Sequence, residues 1–99
     1  MQKLLLVVEQ VFKIRGRGTV LLPDFTLGGA PKPHPTIVTL KRPDGTSRTA
    51  EIVFGVEHRN YGYQGPPRPS TDYWREVPSL RTIEESDVPV GTEIWYEAE

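Results

Sequence analysis

The sequence predicts an all-β domain, a small antiparallel six-stranded β-barrel with Greek-key-like connections, on three observations. Several short runs alternate apolar and polar residues at period 2, as a strand with one buried face does. Ten prolines and nine glycines are spread through 99 residues, and proline inside a helix costs about 3 kcal/mol. No window of a dozen residues shows the i, i+3, i+4 apolar spacing of a helix that buries one face. Closure into a barrel would remove the exposed strand edges that such a sheet otherwise carries. Residues 1–99 make a single domain, long enough for one modest core.

The elements follow in order around the stretch 8–21. Phe12 and Ile14 alternate with Lys13 and Arg15, and Thr19-Val20-Leu21-Leu22 is β-branched and apolar again. Between them Gly16 and Gly18 flank Arg17, and glycine reaches positive φ cheaply, so the chain reverses there. Residues 3–15 and 18–22 are the first two strands. Leu4 to Val8 are too few apolar residues for a secretory leader, and Glu9 and Gln10 follow with no small-residue cleavage site. The run therefore reads as part of a buried first strand, and the protein is placed in the cytoplasm, with no membrane partner.

Residues 23–35 hold four prolines and the Gly28-Gly29 pair and read as loop. Residues 36–41 are the third strand, and Pro43-Asp44-Gly45 is a turn signal. The strand from about 48 to 58 has Ala50, Ile52, Phe54 and Val56 on its core face. Residues 60–74 break the pattern as a long loop rich in proline and aromatic residues. The strand over 75–83 carries apolar Val77, Leu80 and Ile83. Glu84 to Asp87 form an acidic turn, and residues 91–97 close the sheet with Ile94 and Tyr96 on one side and Trp95 on the other.

Composition excludes several chemistries. The net charge is −1 and the pI about 6.1, so the whole molecule has no long-range attraction for nucleic acid. Without cysteine there is neither a disulfide framework nor a thiolate metal site. Gly16-Arg17-Gly18 lacks the Gly-Lys-Ser/Thr ending of a phosphate loop, and no helix follows, so no nucleotide and no cofactor are expected. His34 and His58, the two histidines, make a poor zinc set, and no metal is expected. Ser70, Thr71 and Asp72 have no histidine placed to complete a triad. No catalytic residue is assigned, and the chain is expected not to be an enzyme.

Three segments carry a resemblance. Val8-Glu9-x-Val11-Phe12-x-Ile14-x-Gly16-Arg17-Gly18-Thr19-Val20 is similar to the opening signature of the second domain of translational GTPases, the β-barrel that follows the GTP-binding domain in elongation factor Tu. Residues 52–59, with Gly55-Val56-Glu57-x-Arg59, resemble that domain's V-x-G-V-E-x-H-R strand. Leu80-Arg81-x-Ile83 with Asp87-Val88 and Gly91 resembles its closing pattern. Leu22 and Pro23 depart from it, standing where the family shows a glycine and its neighbour. The resemblance implies a non-catalytic module, because in the family hydrolysis belongs to the separate GTP-binding domain. In the family the barrel itself contacts ribosomal small-subunit RNA or the acceptor end of aminoacyl-tRNA.

The expected contact surface is the aromatic loop. Tyr61, Tyr63, Tyr73 and Trp74 stand with Arg59, Arg68 and Arg75, residue types that dominate interface hot spots and also stack on bases. The basic strand ends Arg15 and Arg17 join them. A protein partner is expected ahead of ribosomal RNA or tRNA, given the slightly negative charge. An alternative function is an immunity or inhibitor protein that neutralises a toxin or enzyme.

Overall fold

The reversal at Gly16 and Gly18 organises the first ribbon. In the computed structural model, which describes residues 1–58 and 74–98, Arg17 N donates to Ile14 O at 2.9 Å and closes a turn between β2 (Gln10–Ile14) and β3 (Gly18–Leu22). Gly18 has φ +92°, and a Cβ there would lie 2.5 Å from the Leu80 carbonyl oxygen. Only glycine fits a backbone that both takes this φ and passes this close to another strand. Before the ribbon comes β1 (Gln2–Val7); after it come β4 (Phe25–Thr26), β5 (Ile37–Lys41), β6 (Ser47–His58), β7 (Trp74–Leu80) and β8 (Glu93–Glu97).

Among the described residues these eight strands form one open antiparallel sheet in the order β1-β8-β5-β6-β7-β3-β2, with β4 beside β7. The twelve-residue β6 serves both halves. Its first part pairs with β5, from Lys41↔Ser47 to Ile37↔Glu51, and its second with β7, from Ile52↔Leu80 to His58↔Trp74. The core lies between the halves. Leu6, Leu40 and Ile94 come from the first, Leu21 and Leu80 from the second, with Ile83 and Val88 from the segment that follows. Each such side chain stabilises by about 1.5–3 kcal/mol when fully removed from water. The chain leaves β7 through Thr82, at φ +58°, an unusual setting for a β-branched residue. Beyond it the Ile83 carbonyl accepts from the buried Thr19 hydroxyl.

The all-β expectation holds; the closed six-stranded barrel does not. The predicted strand 3–15 is two strands, because the backbone changes partners at its middle: Val8 N donates to Thr92 O and Glu9 N to Leu22 O. β1 therefore ends the sheet on one side and β2 on the other. They are joined covalently, with no ladder between them. The predicted loop 23–35 contributes β4, and β7 ends at Leu80 rather than Ile83. Val56, predicted on the core face, is 55% exposed, since β6 runs past the end of the core. Residues 84–87 do turn, as a short 3-10 helix over Glu85–Asp87. No described helix is long and apolar enough to cross a membrane.

Candidate functional site

The β6–β7 hairpin carries charge clusters on both faces. Strand alternation separates them: Phe54, Val56, His58, Trp74 and Glu76 share the inner face, while Gly55, Glu57 and Arg75 share the outer one.

On the outer face, Arg17 forms an ion pair with Glu57 at 2.5 Å. Its guanidinium crosses Gly55, where a Cβ would come within 2.8 Å of Nη2. Glu57 stands opposite Arg75 in the ladder, and Arg75 donates through Nε and Nη2 to Asp24 Oδ1 at 3.0 and 2.7 Å. Two of the expected binding arginines, Arg17 and Arg75, are thus brought together, and both already meet carboxylates of this chain. Arg15 is exposed in the turn between β2 and β3. On the inner face, Trp74 meets His58 edge-on, with ring centroids 5.1 Å apart, and Val56 is its diagonal neighbour. Arg59, Tyr61, Tyr63, Arg68 and Tyr73, the rest of the expected binding set, lie outside the described residues.

The inner face holds a group that sequence reasoning missed. Glu76 is 1% exposed, in a strand position that points under the proline loop. A tight turn, Gly29 N to Thr26 O at 2.8 Å, with Gly28 at φ +81°, aims two backbone donors at it. Gly28 N and Ala30 N donate to Oε2 at 3.0 and 3.1 Å. Oε1 takes the Lys32 ammonium at 2.5 Å and lies 2.9 Å from His34 Nε2. The His34 ring stacks on Phe54, centroids 4.5 Å apart, and Phe54 meets Phe25 of β4.

Burial would raise the Glu76 pKa, but the Lys32 ammonium, the Ala30 N–H and His34 outweigh it and hold the group at about 2. A carboxylate so held stays ionised at neutral pH. It neither gives nor takes a proton there, since a working acid or base titrates near its operating pH. Glu76 therefore acts as an anchor that ties residues 28–34 across the end of the hairpin. The sequence signal for it was a single charged residue sharing strand parity with core-facing Leu80.

Among the described residues no three His, Cys, Asp or Glu side chains gather as a metal would need. Comparison with protein-family models, curated proteins and solved structures gives no match for this chain.

Proposed function

We propose that this chain is a non-catalytic binding module that docks a protein partner on the exposed end of its β6–β7 hairpin, related to the second domain of translational GTPases. One observation carries the reading. Val56 and Trp74, 55% and 38% exposed, stand diagonally on one face of that end, at the point where the Arg- and Tyr-rich stretch 59–73 begins. Exposed apolar surface next to aromatic and arginine residues is the composition of interface hot spots. The three family-like segments supply the kinship: they fall on the β2–β3 ribbon, on β6, and on the exit from β7. The anchored Glu76, ionised at neutral pH, suits a module that holds shape rather than one that moves protons.

The test is affinity capture from lysate with the wild-type protein and with Val56→Ser combined with Trp74→Ala, each checked for fold by circular dichroism. The expected result is a protein captured by the wild type, retained after nuclease treatment and lost by the folded variant. Loss after nuclease would assign the surface to RNA instead, and equal capture by both proteins would remove the hairpin end from the reading.

A further inference from the structure

A second surface lies away from the hairpin end. Between the 31–37 segment and the β1–β8 ladder is a cleft of about 590 Å³, within the range of small-molecule sites. Lys3 and Tyr96 stand opposite each other in that ladder and form one wall with Ala98. Pro31, Pro33 and Pro35 line the other, with Lys32 and His34 between them.

The polar groups of this cleft are unequally committed. Lys32 gives one hydrogen to Glu76 Oε1 at 2.5 Å and approaches His34 Nε2 at 2.8 Å. An ammonium has three donors, so at least one remains. Its carbon chain is already held by the buried carboxylate, so little side-chain entropy is left to lose when a ligand takes that hydrogen. Among the described residues, none makes a hydrogen bond or ion pair with the Lys3 ammonium or the Tyr96 hydroxyl. Among the described residues that line the cleft, the one exposed carboxylate, Glu97, is taken by the terminal ammonium at 2.7 Å. Two cationic donors thus face a slot walled by a tyrosine ring and proline rings.

We propose that this cleft binds a small organic anion, a carboxylate or a phosphate monoester carried on a flat apolar group. Lys3 and the spare hydrogen of Lys32 receive the charge, the Tyr96 hydroxyl donates to the same anionic group, and the Tyr96 and proline rings cover the apolar body. The site is independent of the hairpin surface and stands if that reading fails.

Titration of the labelled protein followed by amide chemical shifts tests it, with phenyl phosphate, benzoate, inorganic phosphate and phenol as probes at one ionic strength. Phenyl phosphate or benzoate is expected to saturate and to shift the amides of Lys3, Thr36 and Tyr96; the tighter of the two identifies the anionic group. Inorganic phosphate and phenol should each bind about tenfold more weakly, since each offers half of the recognition. Lys3→Gln and Tyr96→Leu should each weaken the aromatic anion about three- to tenfold. Trp74→Ala should leave it unchanged. Lack of saturation by both aromatic anions overturns the proposal. So does inorganic phosphate binding as tightly as phenyl phosphate, or unchanged binding in both Lys3→Gln and Tyr96→Leu.

Discussion

Glu76 and Glu57 stand on the two strands of one hairpin and face opposite sides of it, and each is paired with a cation. Their surroundings separate them. Glu76 is buried and accepts from two backbone amides as well as from Lys32, so the carboxylate replaces all the water it lost. Glu57 meets Arg17 nearer the surface, where the Arg17 side chain is 37% exposed and that of Glu57 24%, so solvent reaches the arginine side of the pair although the Glu57 oxygen that meets it is covered. Two ion pairs of similar length thus differ in what they do. The inner one fixes the path of a loop, and the outer one joins a half-exposed arginine of the β2–β3 turn to a largely covered carboxylate of β6.

If that contrast is right, the largest effect belongs to Glu76→Ala. It leaves Gly28 and Ala30 with undirected N–H groups and frees Lys32 and His34 together. Removing one side of a buried charged cluster costs about 3–5 kcal/mol, and the exposed Lys32 side chain, which returns to water, brings the expectation to about 3 kcal/mol. Urea unfolding measures it. A loss under about 1 kcal/mol would put the two clusters on one footing and end the comparison.

Acid should act through the same group. Its folded pKa, about 2, lies below the ordinary 4.5, so its contribution is complete above about pH 4.5. It is lost as pH falls toward 2, because the unfolded chain then binds the proton first. A shift of that size corresponds to about 3 kcal/mol. The difference in stability between wild type and Glu76→Gln should therefore shrink across pH 4.5 to 2 and be flat from pH 5 to 7. A difference that is flat throughout would mean that the carboxylate is not what Lys32 and Ala30 hold.

Much of this was legible in the sequence and some of it was not. Alternation placed Ala50, Ile52 and Ile94 inward, and the glycines around Arg17 marked the reversal, because both signals are local. The break at Val8–Glu9 was not legible: the residues there suit a strand, and only the positions of Thr92 and Leu22 show that it changes partners. β4 stayed hidden since a two-residue strand is defined by β7 rather than by its own composition. Glu76 stayed hidden for a related reason. A glutamate in a strand normally reads as its wet face, and the donors that make its burial tolerable come from residues more than forty positions away. His34 and Lys32, sitting among prolines, carry no pattern that announces a shared partner.

Between the two extremes lies Arg75 with Asp24, whose carboxylate is largely covered at 8% exposure. Arg75→Lys keeps the charge and removes the second donor to Oδ1, and lysine does not reproduce that fork. The expected loss is about 1 kcal/mol, read from urea unfolding. A loss as large as that of Glu76→Ala would mean that the outer face, too, is built as an anchor.

The smallest effect should come from Arg17 and Glu57. A double-mutant cycle of Arg17→Ala and Glu57→Ala isolates their coupling from the packing each side chain makes with other neighbours. With solvent reaching the pair from the Arg17 side, the coupling should be below about 1 kcal/mol, and 1 M salt, which shortens the screening length to about 3 Å, should reduce it further. Stability and binding should then part company. Arg17→Ala would barely move the unfolding midpoint, yet it would weaken partner capture, since the arginine belongs to the same end of the sheet as Trp74 and Arg75. A coupling above about 2 kcal/mol would instead show that Arg17 is committed to its own chain as firmly as Lys32 is. The contact surface would then be confined to the inner edge at Val56 and Trp74.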